Sequence, residues 1–160
     1  MPDATPLLEA NLFRALRALA DGRARDVAGL AQSLGCSGLH METLLASMGS
    51  AFGLAVLRDE GCYRLSQPVD LIDGEALRAQ LAVGEPALQV EIIDQCESTN
   101  TLLLARAAAG AVSGTTIVCE HQTRGRGRQG ARWITALGGS LAFSLLWRFR
   151  SGVHALPGLS

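Results

Sequence analysis

Apolar residues recur at Leu8, Leu12, Leu16 and Leu19, a spacing that lines one face of a helix over residues 7–20, and Asp21-Gly22 is a stop signal. Asp26 is placed to cap a second helix whose stripe is Val27, Leu30, Ala31 and Leu34. The stretch "LGCS" then turns tightly into a third helix with Met41, Leu44, Leu45 and Met48 on one side. Two short helices across such a turn form a helix-turn-helix unit. The run "LAVLRDEGCYRL" that follows breaks into two short strands around Asp59-Glu60-Gly61, a hairpin signal. Three helices and a hairpin predict a winged helix-turn-helix domain over residues 1–66, with residues 55–65 as the wing.

Beyond Pro68 the pattern changes. "DLIDGEALRAQLAVGEP" reads as a connecting helix capped by Asp73 and ended by Gly84 and Pro86, which makes 67–86 a linker. From residue 87 strands and helix alternate: a strand at "ALQVEIID", a helix from Ser98 through Ala109, a strand at "TTIVCE", a cationic loop, and a strand at 140–149. In that last strand Leu141, Phe143, Leu145, Trp147 and Phe149 fall on one face with a period of two. Residues 87–160 therefore read as the first part of an α/β domain, and the fold class as α+β, a winged helix-turn-helix followed by that domain. A sheet of roughly three strands with one helix has little cover. A new helix starts at "ALPGLS", and the expectation is a truncated chain.

At 160 residues, with 48% apolar content and a mean hydropathy of +0.22, the chain can build packed cores. The net charge of −1 conceals a polarity. Residues 67–119 hold seven acids and two arginines, whereas 120–150 hold six arginines and one glutamate. All fourteen cations are arginine, so lysine chemistry has no residue to carry it. Cys36, Cys62, Cys96 and Cys119 match no metal-ligand spacing and no disulfide framework, and no protein metal site is expected. With no secretory h-region and no long apolar window, the expectation is a cytoplasmic protein without a membrane span.

Two polar constellations stand out. Ser98, Thr99 and Asn100 sit where a strand meets a helix; they are either an ordinary N-cap or a set of hydroxyls, amide and backbone N–H groups for a ligand head. "TRGRGRQGARW", residues 123–133, carries Arg124, Arg126, Arg128 and Arg132 beside glycines that let backbone N–H groups approach an anion. It lacks the lysine and hydroxyl of a Walker A loop and the order of a Rossmann glycine motif. A phosphate-bearing ligand, nucleic acid and a surface turn all remain open, and its place between two strands of a packed domain favours a site. For the N-terminal domain, DNA contact would fall to Arg23, Arg25, Ser37, His40, Arg58 and Arg64. The recognition helix "SGLHMETLLASMGS" has no arginine or lysine, so a docking or dimerising domain is the other reading.

Together, "ESTNTLLLARA", "CEHQTRGRGRQGARW" and "GGSLAFSLLWR", in this order and spacing, resemble the bacterial biotin-protein ligases. The winged helix-turn-helix makes the chain similar to the bifunctional type that also acts as the biotin operon repressor. The resemblance is close over 90–150 and looser over 7–85. It implies an ATP-dependent ligase: the biotin carboxylate attacks the α-phosphate of ATP, and a lysine of the biotin carboxyl carrier protein of acetyl-CoA carboxylase then takes the biotinyl group from biotinyl-5'-AMP. Biotin and ATP are the implied substrates, with Mg2+ accompanying ATP; operator DNA and a second copy of the chain are candidate partners. By resemblance Ser98, Thr99, Asn100 and Gln122 hold biotin's head, and Gly125, Arg126, Gly127, Arg128 and Gln129 fold over it. Arg126, Arg128, Arg132 and Trp133 would contact the adenylate, with Arg128 as the catalytic residue whose charge retains the intermediate and Trp133 an apolar anchor beneath the loop.

Some features depart from that pattern. The family's Lys-Trp-Pro-Asn-Asp stretch is absent, and Gln129 and Ala131 stand where basic residues are frequent. The 160 residues are therefore expected not to catalyse efficiently, the activity belonging to a longer parent. The competing expectations are a winged-helix regulator that senses biotin or biotinyl-AMP without catalysis, and a lipoate ligase.

Overall fold

The computed structural model describes residues 5–84, 88–127, 131–134 and 136–149. The chain divides into two compact units, Met1–Ile72 with Ala136–Ser140, and Asp73–Thr135 with Leu141–Ser160. The sequence places a domain end at residue 66 and a linker to 86; the contacts divide between Ile72 and Asp73.

In the first unit α1 (Thr5–Leu19) leads through the two-residue β1 (Arg25–Asp26) to α2 (Val27–Leu34) and α3 (Gly38–Phe52). The strands β2 (Val56–Asp59) and β3 (Cys62–Leu65) follow. The helix stripes converge on one core. Leu12, Leu16 and Leu19 are buried with Met41, Leu44, Leu45 and Met48. Leu30 and Ala31 are buried too, while Val27 and Leu34 are half-buried. Each large apolar side chain so buried contributes about 1.5–3 kcal/mol relative to exposure. Periodicity overlooks Phe13, also buried, whose ring meets Phe52 edge-on with centroids 4.7 Å apart.

Local chemistry sets the helix ends. The Asp26 carboxylate accepts from the Gly29 N–H at 2.8 Å, and Ser37 Oγ accepts from the His40 N–H at 3.2 Å. Gly35 (φ 68°) and Gly53 (φ 71°) close α2 and α3 in the left-handed conformation. Glu60 and Gly61 both have positive φ, which gives the two-residue turn the twist that β2 and β3 require. The sheet order is β1-β3-β2, all antiparallel, with Arg25 opposite Tyr63. β1 was not anticipated, because two residues carry no periodicity. Leu137 packs against this core, and a Cβ on Gly138 would stand 2.6 Å from Val69 Cγ1.

The second unit opens with α4 (Gly74–Gly84), whose Glu75 and Ala76 N–H groups donate to Asp73 Oδ1 at 3.0 Å each. β4 (Gln89–Cys96), α5 (Thr99–Ala108) and β5 (Thr115–Gln122) form a β-α-β unit with β4 and β5 parallel. β8 (Ala142–Leu145) pairs antiparallel with the other edge of β5, and the sheet order is β4-β5-β8. Between them β6 (Gly125–Arg126) and β7 (Arg132–Trp133) form a small hairpin.

The strand expected at 140–149 is only four residues long. The ladder register ends at Thr116↔Leu145, the Leu146 N–H still donates to the Thr115 carbonyl at 2.8 Å and its carbonyl accepts from the Gly114 N–H at 2.7 Å, and Arg148 then turns to the preceding loop, donating through its N–H to Ser113 Oγ and through its guanidinium to the Ala111 carbonyl. Leu141, Phe143 and Leu145 alternate with the less exposed Ala142 and Ser144, yet Leu141, Phe143, Leu145, Trp147 and Phe149 are all 44–66% exposed. The buried side carries the small residues, Ala142 and half-buried Ser144, which turn toward α5.

Candidate ligand site

Two distant stretches meet at the start of α5. β4 delivers Cys96-Glu97-Ser98 to the helix, and β5, running parallel beside it, ends at Gln122 opposite Cys96. The first N–H groups of a helix have no partner within it. Here Gln122 supplies one: its Oε1 accepts from the Thr99 N–H at 2.8 Å and from the Thr99 hydroxyl at 3.2 Å. Ser98 holds the extended N-cap backbone, but its side chain makes no capping bond. The ordinary-cap reading of Ser98 therefore gives way to a long-range cap, and the Ser98 hydroxyl is not spent on its own helix. Ser98 and Thr99 are buried and Asn100 is exposed.

The cationic stretch leaves directly from this corner. The Thr123 N–H donates to the Cys96 carbonyl at 2.9 Å and the Arg124 N–H to the Glu97 carbonyl at 2.8 Å. The Arg124 guanidinium pairs with Glu97 at 3.2 Å on the surface, a contact worth little in water but one that ties the hairpin base to the β4–α5 turn. Gly125 lies opposite Trp133 and Arg126 opposite Arg132, and the Gly127 N–H donates to the Ala131 carbonyl at 2.7 Å. A Cβ on Gly125 would sit 2.5 Å from the Trp133 carbonyl oxygen, and one on Gly127 3.2 Å from that of Ala131. These glycines thus permit close strand pairing, a different use from the turning of N–H groups toward an anion. Arg126 is exposed, while Arg128, Gln129 and the Arg132 side chain lie outside the described residues. Trp133 is 57% exposed, so its indole is not buried beneath the loop.

Ser144 completes the cluster. Its hydroxyl donates to Thr99 Oγ1 at 2.9 Å. Sequence reasoning missed it: the period-two alternation puts Ser144 opposite the apolar row, but only the sheet register brings it to α5. On the strands below, His121 Nδ1 is 3.1 Å from Gln95 Oε1, and burial lowers the ring's pKa, which favours the neutral imidazole. Cys119 Sγ donates to the His121 carbonyl at 3.2 Å; the neighbouring Cys119 thiol lowers the pKa of Cys96, and Cys96 together with burial raises that of Cys119. All four cysteines are free. Among the described residues no group of three His, Cys, Asp or Glu side chains is placed to hold a metal ion.

The residues expected at DNA are differently occupied. Arg25 grips Asp21 with both terminal nitrogens, at 2.6 and 2.8 Å, and Arg23 lies 3.8 Å from the same carboxylate. The Arg25 hydrogen bonds first, and then the Arg23 backbone N–H donating to Asp21 Oδ1 at 3.0 Å, hold Asp21 well below the usual carboxylate range. Arg58 stacks over the Tyr63 ring, whose hydroxyl donates to Glu42 Oε1 at 3.3 Å. Ser37 is used as a helix cap, His40 is half-buried, and Arg64 is exposed. No helix among the described residues is long and apolar enough to cross a membrane.

Residues 92–156 match the biotin/lipoate A/B protein ligase family. Over 147 residues the chain is 34% identical to the bifunctional ligase/repressor BirA of Salmonella typhimurium, an alignment covering 89% of this chain and 43% of that protein. The BirA of Escherichia coli K12 is 32% identical over the same length and with the same coverage. The biotin--[acetyl-CoA-carboxylase] ligase of Mycobacterium tuberculosis is 41% identical over 76 residues, 46% of this chain and 29% of that protein. The chain thus spans less than half the length of these relatives.

Proposed function

From the match of residues 92–156 to the biotin/lipoate A/B protein ligase family, we propose that the whole protein is an ATP-dependent biotin-protein ligase whose biotin site is the corner between α5, β5 and the β6–β7 hairpin. The observation that carries this reading is the long-range cap: Gln122 bonds to Thr99 and the arginine-glycine hairpin departs from the same strand end. One polar corner and one cationic cover thereby stand side by side.

In the proposed reaction an oxygen of the biotin carboxylate attacks the α-phosphorus of ATP, the bond to pyrophosphate breaks, and biotinyl-5'-AMP forms. The amine of a carrier-protein lysine then attacks the acyl carbon and AMP departs; the name of the mycobacterial relative supports the carboxylase as the carrier's source. Ser98, Thr99, Asn100 and Gln122 would hold the hydrogen-bonding head of biotin. Gly125, Arg126, Gly127, Arg128 and Gln129 would close over it, with Arg126, Arg128, Arg132 and Trp133 toward the adenylate. Permanent guanidinium charge placed near the α-phosphate offsets repulsion between carboxylate and triphosphate. Mg2+ would come with the nucleotide.

A second role, repression through DNA, is supported by the order of the first unit, three helices and an antiparallel hairpin, and by the names of the two BirA relatives. Engagement of Arg23 and Arg25 by Asp21 opposes strong DNA binding in this state. Thermal unfolding with biotin and with lipoate separates the vitamin classes: stabilisation by biotin alone is expected, and stabilisation by lipoate alone would reassign the site.

A further inference from the structure

We propose that Ser144 is a positioning residue of this site, holding the Thr99 hydroxyl in the hydrogen-bond chain that ends on Gln122; as a statement about ligand binding, the inference rests on the biotin reading. The Thr99 backbone N–H only donates, so the Gln122 atom 2.8 Å away must be the carbonyl oxygen Oε1. That oxygen only accepts, so the Thr99 hydroxyl, 3.2 Å away, points its proton at Gln122. Thr99 Oγ1 then offers lone pairs, and Ser144 Oγ at 2.9 Å donates into one. The chain runs one way, from Ser144 through Thr99 to Gln122.

The consequence reaches the hairpin. With Oε1 held by two donors, the Nε2 end of Gln122 turns to the hairpin base, 3.3 Å from where a Cβ on Gly125 would stand. A ligand head entering this corner therefore meets one fixed pattern of donors and acceptors instead of rotating hydroxyls, and part of the ordering cost of binding is removed beforehand. Loss of the Ser144 hydroxyl leaves Thr99 Oγ1 free to turn and Oε1 with a single firm donor.

The test compares the full-length protein with its Ser144→Ala and Ser144→Thr variants by NMR, following the Thr99 amide and the Gln122 side-chain amide without ligand, and then by biotin titration. Ser144→Ala is expected to shift both signals and to weaken biotin binding roughly 3- to 10-fold. Ser144→Thr, which keeps the hydroxyl, is expected to restore both. Unmoved Thr99 and Gln122 signals in Ser144→Ala would overturn the proposal, as would equal weakening by both variants, the mark of a packing role. Failure of the unsubstituted protein to bind biotin would overturn the biotin reading alone, because the ligand-free signals still decide whether Ser144 holds the Thr99 hydroxyl.

Discussion

Gly125 and His121 show how single side chains bear on the site. At Gly125 the restriction is the Trp133 carbonyl oxygen, 2.5 Å from any added Cβ, so Gly125→Ala must push β6 from β7. The expected outcome is faster hydrogen exchange at the Gly127 N–H, which donates across the hairpin, at a local cost of about 1–3 kcal/mol. For His121, burial lowers the folded-state pKa below the ordinary value of 6.5. The unfolded chain then takes up the proton first, so this group's contribution to stability is present above 6.5 and is lost as the pH falls below it. Urea midpoints should decline from about pH 7.5 to about pH 5.5, and His121→Gln should flatten that decline. The glycine-rich composition was plain in the sequence, but its purpose was not, since a neighbour ten or fewer residues away becomes an obstacle only once the strands pair.

Among the elements, those with strong local signals were legible. The α3 stripe of Met41, Leu44, Leu45 and Met48 is buried as the spacing predicts, and Asp26 and Asp73 cap as their positions suggest. Asp26→Ala and Ser37→Ala should each cost about 1 kcal/mol in urea unfolding, because each removes the acceptor for a first-turn N–H. Where tertiary pairing decides, the sequence is mute. β1 exists only because Arg25 and Asp26 find Tyr63 and Cys62, and α5 is capped by a glutamine 23 residues downstream of Thr99. The 140–149 run shows the converse: exposure alternates over Leu141–Leu145 as a period of two requires, yet the strand covers only Ala142–Leu145 and its apolar side chains stay exposed.

At the scale of the molecule, charge distinguishes the two units. The arginine-rich region follows β5, while in the first unit Asp21 occupies Arg23 and Arg25. If DNA is a partner through those arginines, Asp21→Asn should tighten binding to a generic duplex at low salt by roughly 2- to 5-fold and steepen its salt dependence, measured by fluorescence anisotropy. The central claim, however, concerns the corner at α5. Its most direct test is calorimetric titration of biotin into the full-length protein and into its Gln122→Ala variant, which removes the cap of α5 and the amide facing the hairpin. Saturable one-to-one binding that weakens by about 10-fold or more in Gln122→Ala is the result expected. A folded full-length protein that takes no biotin, or a Gln122→Ala variant of it that binds biotin undiminished, would contradict the account.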